Sequence, residues 1–209
     1  MPLDDRYEAV RLRTDRGDVE CRYYARPGTA AAAVWVGGAG GGWDTPARRL
    51  YPRLCMDLLE HGIDSLRVRF RHPAHLSESV FDVLAGLSFL ADQGVRSAAV
   101  TGHSFGGAVV IAAGVRSREV RTVVTLATQG YGAHEAGALS PRSILLVHGT
   151  EDEILPARSS QHVHDLAREP KRLVLYPGAR HGLDEVADEV RELVRGWIIS
   201  ELHGRGEPA

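Results

Sequence analysis

Gly102-His103-Ser104-Phe105-Gly106 fits the pattern G-x-S-x-G, and its neighbours give this short stretch its meaning. An apolar run that reads as a strand ends at Val100-Thr101, and a helix is expected to open at Ala108. A sharp strand-to-helix turn exposes the central side chain, and the flanking glycines remove the Cβ clashes that would forbid such a turn. The helix N-terminus adds unpaired N–H groups beside the hydroxyl. Ser104 is therefore the candidate nucleophile, and an ordinary glycine-rich turn with a capping serine is the alternative.

On either side of this turn, short apolar runs alternate with segments of helical spacing. Strands are predicted at residues 31–36, 63–70, 98–100, 120–126, 144–147 and 173–176. Helices are predicted from about Tyr51 to Gly62, from Ser79 as a cap through residue 91, and over residues 108–113, 159–168 and 186–197. This alternation predicts an α/β fold with a mostly parallel sheet and helices on both faces. Ligands in such folds bind beyond the carboxyl ends of the strands, so the chemistry is expected in the loops that follow strands.

Composition is typical of a globular protein. The chain has 209 residues, 44% of them hydrophobic and 25% charged, and these values predict one domain over residues 1–209. An N-terminal hairpin is expected at about residues 10–24, and a tail at about residues 203–209 is expected to be disordered. A formal charge of −2 argues against a nucleic-acid binder.

The same sequence gives no sign of a membrane or secreted protein. No apolar run approaches the roughly 20 residues that span a bilayer, and the first ten residues do not resemble a signal peptide. Cys21 and Cys55 are too few for a disulfide framework. We therefore expect a cytoplasmic protein with reduced thiols and no membrane partner.

The segments after two further predicted strands contain a candidate base and a candidate acid that could act with Ser104. A serine hydroxyl needs a base to remove its proton, and His181 lies in Gly178-Ala179-Arg180-His181-Gly182, after the strand at 173–176. Asp152, the candidate acid that orients the imidazole, follows the strand at 144–147. The order along the chain is Ser, Asp, His, with each residue at the carboxyl end of a strand.

Other residues compete for these roles. Glu151 and Glu153 flank Asp152 and are alternative acids. Among the other histidines, His148 is expected to pack in the loop before Asp152. His162 and His164 lie on a predicted helix and are expected to be solvated.

At this point the chain resembles the α/β-hydrolase family over residues 12–197. Three patterns carry the resemblance: the G-x-S-x-G turn, H-G-x-x-D-x-x-x-P starting at His148, and the late G-x-x-H-G. The size is similar to that of dienelactone-hydrolase-like proteins and small carboxylesterases without a lid domain. Dienelactone hydrolases themselves use Cys where this chain has Ser104. The resemblance implies that His103 points away from the chemistry, and Thr128 with Gln129 occupy a position where the family sometimes places its acid.

An oxyanion hole requires two backbone donors. One is expected at Phe105, directly after the nucleophile. The resemblance places the other at Ala39, with Gly40 as the alternative, because Gly37-Gly38 stands where many relatives carry His-Gly. The glycines of residues 37–42 do not form a phosphate loop, since Trp43 follows Gly42 where a Walker A loop has Lys and a dinucleotide fingerprint has Gly or Ala.

These residues predict acyl transfer in two steps without a cofactor or metal. The segment 129–141 is too short for a helical lid, so we expect a shallow, open pocket that favours small esters. Trp43, Phe105 and Leu155 are expected to form its apolar wall. Arg69, Arg71 and His72 follow a strand and are expected either to attract an anionic substrate or to be solvated rim residues.

Three functions remain open at this point. The first is a serine hydrolase acting on small-molecule carboxylic esters. The second is a thioesterase or acyltransferase that uses the same triad. The third is a non-catalytic binding module with the same fold, since fold does not fix function.

Overall fold

Six parallel strands form the centre of the molecule, and an antiparallel hairpin extends them on one side. The computed structural model describes residues 6–204. Their strands are β1 (Glu8–Leu12), β2 (Val19–Tyr24), β3 (Ala31–Val36), β4 (Ile63–Val68), β5 (Ser97–His103), β6 (Val120–Leu126), β7 (Ser143–Gly149) and β8 (Lys171–Tyr176). All eight belong to one sheet in the order β1-β2-β4-β3-β5-β6-β7-β8. The central strands are apolar because both faces of the sheet are covered.

The sheet has an antiparallel part and a parallel part. β1 and β2 pair antiparallel with Val10 opposite Cys21, so a hairpin lies in the region where one was expected, and β2 pairs antiparallel with β4. From β4 onward every pairing is parallel. The carboxyl ends of strands β3 to β8 therefore lie along one edge of the sheet, where the loops after β3, β5, β7 and β8 meet.

Helices cover both faces of the sheet. They are α1 (Pro46–Leu59), α2 (Leu76–Asp92), α3 (Phe105–Arg116), α4 (Arg158–Leu166) and α5 (Ala187–His203), with short 3₁₀ helices at His134–Ala138 and Asp184–Val186. Apolar residues of α2, α3 and α4 belong to one core, and those of α1 and α5 belong to the core on the opposite face. The predicted fold class is confirmed.

Two helix starts are informative. Ser79 was predicted to cap α2, but the helix begins one turn earlier at Leu76, and the buried Ser79 hydroxyl donates to the carbonyl of His72 at 3.3 Å. In α1 the first residues do not have right-handed geometry: residues 47–49 have φ values of 49°, 49° and 66°. The regular helix starts after them, close to the predicted Tyr51, and this places Pro52 in its first turn.

The segment between β6 and β7 carries only the short 3₁₀ helix His134–Ala138, so no lid domain is present within residues 6–204. In the same described range, no helix is long and apolar enough to cross a bilayer.

Burial raises the pKa of the Cys21 thiol to about 12. Of the predicted tail, His203 ends α5, while residues 205–209 lie outside the described part of the chain.

Candidate active site

The turn between β5 and α3 holds Ser104 in a strained conformation. β5 ends at His103, α3 begins at Phe105, and Ser104 between them has φ 56° and ψ −119°. A non-glycine residue with positive φ costs about 1–3 kcal/mol and persists only where its surroundings impose it. Two glycines make the close packing around this turn possible, because they have no Cβ. A Cβ at Gly102 would collide with the carbonyl of Gly106, and a Cβ at Gly106 would collide with the carbonyl of Gly37.

Asp152 is the acid that contacts His181. Its Oδ2 lies 2.7 Å from Nδ1 of His181, and its side chain is fully buried. Its other oxygen accepts hydrogen bonds from the amides of Ile154 and Leu155 at 2.8 and 2.7 Å. Burial opposes ionisation, but these amide bonds and the contact with His181 outweigh it and lower the pKa of Asp152. The carboxylate therefore stays charged and fixes the imidazole tautomer that carries hydrogen on Nδ1.

The alternative acids lie elsewhere. Glu151 is exposed. Glu153 contacts the backbone of His181, accepting its N–H at 3.4 Å, and does not replace Asp152 on the ring. Of the three neighbouring carboxylates, Asp152 is the one with imidazole-orienting geometry.

A second histidine shares the Asp152 carboxylate. Buried His148 places Nε2 2.9 Å from Oδ2 of Asp152 and 3.0 Å from the carbonyl of Leu155. Because both partners accept, Nε2 carries the hydrogen, and Nδ1 accepts from the hydroxyl of Ser160 at 2.6 Å. Burial lowers the pKa of His148.

The sequence predicts that His148 packs in the loop before Asp152, whereas the structure places it in β7. The hydrogen bond between His148 and Asp152 was not predicted. Ser160, on α4, had no signal in the sequence.

His103 lies against His181 and does not point away from it. The two ring centroids are 4.8 Å apart, and Nε2 of buried His103 donates to the carbonyl of His181 at 3.0 Å. Burial lowers the pKa of His103 as well. Since His103 directly precedes Ser104, this bond ties the loop that carries the imidazole to the turn that carries the hydroxyl.

The candidate oxyanion donors lie next to Ser104. Phe105 is the first residue of α3, where an amide has no intrahelical partner. Ala39 and Gly40 occupy the middle of a turn closed by a hydrogen bond from the amide of Gly41 to the carbonyl of Gly38 at 3.3 Å. A Cβ on Gly38 would lie 3.5 Å from that of Ser104, so this turn passes beside the Ser104 side chain.

Side chains from the core replace the missing histidine as anchors of this loop. The Tyr51 hydroxyl donates to the carbonyl of Val36 at 3.0 Å, just before the loop. A guanidinium nitrogen of buried Arg67 donates to the carbonyl of Trp43 at 2.7 Å, at its far end.

A cavity of about 770 Å³ opens next to Ala39 and Phe105. The cavity is open, as expected from the short segment 129–141, and its wall comes from α2 and α3 as well as from that segment. Phe105 lines the cavity as expected.

Trp43 and Leu155 are not part of this wall. Trp43 lies under the guanidinium of Arg22, 4.3 Å from the ring centroid, and lines a separate cavity with Tyr7 and Cys21. Leu155 contributes its backbone to Asp152 and His148. Neither residue therefore lines the cavity beside Phe105, because the direction of a loop side chain depends on packing that the sequence does not show.

The basic residues after β4 are neutralised. Arg71 pairs with buried Asp82 at 2.6 Å and with Glu78 at 2.9 Å, while Arg69 pairs with Glu20 at 2.6 Å. His72 is exposed. The geometry favours the rim interpretation over a binding site for an anionic substrate.

Comparisons with known proteins agree with this architecture. The chain matches no family model. A curated relative, an uncharacterized protein named YfhR from Escherichia coli O157:H7, is 34% identical over 49% of this chain, and the match spans 45% of that protein, less than half its length.

Solved structures match almost the whole chain. A dienelactone hydrolase from Anabaena variabilis superposes with a TM-score of 0.81 at 16% identity, covering 94% of this chain and 98% of that one. Est1E from Butyrivibrio proteoclasticus gives 0.79 at 17% identity, covering 94% and 99%. At these identities the likeness establishes the α/β-hydrolase fold.

Proposed function

We propose that this protein is a serine hydrolase that cleaves carboxylic esters of small molecules through an acyl-enzyme. The observation that carries the proposal is the buried Asp152 carboxylate, 2.7 Å from Nδ1 of His181, beside a strained turn that presents Ser104. In this proposal Ser104 is the nucleophile, His181 the general base and acid, and Asp152 the orienting carboxylate.

The first half of the reaction forms the acyl-enzyme. Nε2 of His181 accepts the proton of Ser104 as Oγ attacks the carbonyl carbon of the ester. The negative oxygen of the tetrahedral intermediate is held by the amides of Phe105 and Ala39. His181, now charged and stabilised by Asp152, then protonates the alcohol oxygen as the bond to the alcohol breaks.

The second half releases the acid. Water gives a proton to His181 and attacks the acyl carbon, a second tetrahedral intermediate forms, and its collapse returns the proton to Ser104. The lowered pKa of Asp152 supports this role, because a carboxylate that stays ionised stabilises the imidazolium in both halves.

The names of two structural neighbours, an esterase domain from Rhodothermus marinus and the dienelactone hydrolase, agree with ester chemistry. Because the proposed nucleophile is Ser104 and not Cys, we propose general carboxylic esters and not dienelactone as the substrate class.

The test uses p-nitrophenyl esters with wild type and Ser104→Ala, together with a fluorophosphonate probe followed by intact mass measurement. We expect hydrolysis by wild type, loss of at least about 10⁴-fold in kcat for the variant, and labelling of Ser104. Folded wild type that neither turns over any ester nor reacts with the probe would contradict the proposal and favour a binding module. A product that forms only when an alcohol or amine acceptor is added would favour an acyltransferase.

A further inference from the structure

We infer that the cavity between α2 and α3 binds the acyl chain of the substrate, and that the preferred acyl group is an unbranched, uncharged chain of about six to eight carbons. This inference rests on the proposed function and specifies its substrate. It differs from the small acyl groups expected from the sequence, because the cavity is not visible in the sequence.

The position of the cavity relative to the loop that carries His181 indicates that the cavity binds the acyl part of the ester and not the alcohol part. His181 must protonate the leaving alcohol, so the alcohol oxygen has to lie on the side of the imidazole. Among the described residues, the cavity lining comes from the segment 74–84, from α3, from residues 129–135, and from Ala39 and Arg16. None of it comes from the loops that carry Asp152 and His181, so the cavity receives the half of the ester opposite the alcohol.

The walls of the cavity select an apolar chain. On α2, Leu76, Val80 and Leu84 follow each other at four-residue spacing and form one stripe facing the cavity. On α3, Phe105 lies beside the nucleophile and Ala112 lies two turns further along. The distance along α3 between them is about 10 Å, close to the length of an extended chain of about eight carbons.

The charged groups that line the cavity are already paired. Arg116 forms two hydrogen bonds with Glu135, at 2.6 and 2.9 Å. Arg16 pairs with Glu78 at 3.1 Å and lies over the ring of Phe81. A carboxylate at the end of the acyl chain would have to break one of these pairs, so an uncharged chain end is preferred.

The experiment measures kcat/KM for p-nitrophenyl acetate, butyrate, hexanoate and octanoate. For wild type we expect a rise of about two- to fourfold per methylene from acetate to hexanoate, because burying one methylene completely is worth about fourfold. In Ala112→Phe the new ring fills the far end of the cavity. We expect octanoate to lose at least about tenfold while acetate stays within about twofold.

Two controls isolate the acyl side. Glu189→Phe adds the same ring at an exposed position of α5, across the sheet from the cavity, and should leave the chain-length profile unchanged. Acetate esters of ethanol, butanol and hexanol vary the alcohol only, and their relative rates should be the same in wild type and Ala112→Phe. Leu84→Trp fills the cavity from α2 and should reproduce the effect if Ala112→Phe does not fold.

The inference is overturned if wild type prefers acetate to hexanoate, or if the cavity-filling variants slow all acyl chains equally. It is also overturned if those variants change the preference for the alcohol. The proposed function fails in a different way, with no Ser104-dependent hydrolysis of any ester, acetate included.

Discussion

The two sides of Ser104 are built from different kinds of contact. On one side, Asp152, His148 and His181 are joined by hydrogen bonds of 2.7–2.9 Å between buried or half-buried groups. On the other side, the cavity is lined by apolar side chains of α2 and α3 whose contacts have no strict direction. A hydrogen bond loses most of its stabilising energy when one of its atoms is displaced, whereas an apolar cavity wall can change shape with a smaller loss of energy. Substitutions on the polar side should therefore affect the rate, and those on the apolar side the choice of substrate.

The largest expected effect comes from Asp152→Asn. The amide no longer fixes the tautomer of His181 or stabilises its charged form, so kcat should fall by about 10³–10⁴-fold with little change in KM. Steady-state kinetics with one ester measures this. Glu153→Gln is the matched control on the same loop, since its carboxylate accepts from the His181 backbone and not from the ring, and it should change kcat by less than about threefold. Equal losses in the two variants would mean that Asp152 is not the orienting acid.

A second prediction concerns stability in acid. Burial lowers the pKa of His103 and His148 in the folded state, so the unfolded state binds more protons as the pH falls below about 6.5. Each histidine should then remove up to about 1.4 kcal/mol of unfolding free energy per pH unit until its folded-state pKa is reached. Below this window the lowered pKa of Asp152 acts in the same direction.

Urea unfolding at a series of pH values between 7 and 4 measures the loss. Replacing His148 with Gln should flatten the slope between about pH 6.5 and the folded-state pKa of His148. A slope identical to that of wild type would show that His148 is not held neutral.

A smaller effect is expected for Ser160→Ala, on α4. The variant leaves Nδ1 of His148 without its donor and loosens the imidazole that supports Asp152. One such hydrogen bond is worth about 0.5–1.5 kcal/mol, so kcat should fall by about two- to tenfold, and Thr at this position should restore it. His162→Ala on the exposed face of the same helix is the control. A loss in the His162 variant as large as in the Ser160 variant would indicate that the helix, and not this bond, matters.

The smallest effect is expected for Trp43→Phe. Trp43 lines a cavity beside β1 and β2 and lies under Arg22, away from the wall formed by α2 and α3. The ester chain-length profile should therefore match that of wild type within about twofold at every length. A shifted optimum would place Trp43 back in the substrate pocket and weaken the contrast between the two sides.

Local steric rules made much of the fold predictable from the sequence. The turn at Ser104 is specified by glycines whose missing Cβ atoms leave room for neighbouring carbonyls, and buried parallel strands appear as short apolar runs. The juxtaposition of Asp152 and His181 followed from both residues standing at strand ends.

The remainder depends on packing between distant segments. The cavity is lined by residues of α2, including its first turn at Leu76, and by Phe105 of α3, and no local pattern in the sequence encodes the gap between the two helices. The same reasoning explains Trp43, whose direction is set by Arg22 and Arg67 on two other strands.

The left-handed turn at residues 47–49 connects the segment that carries the proposed oxyanion donors with the loop that carries the proposed base. Each of its residues lies in a conformation that costs about 1–2 kcal/mol. The turn is held by two bonds to the loop after His181: from the amide of Ala47 to the carbonyl of Gly182 at 2.7 Å, and from the amide of Arg48 to Asp184 at 2.8 Å. Because strained conformations persist only where their surroundings impose them, the turn depends on these bonds, and the segment that carries Ala39 is stabilised together with the loop after His181.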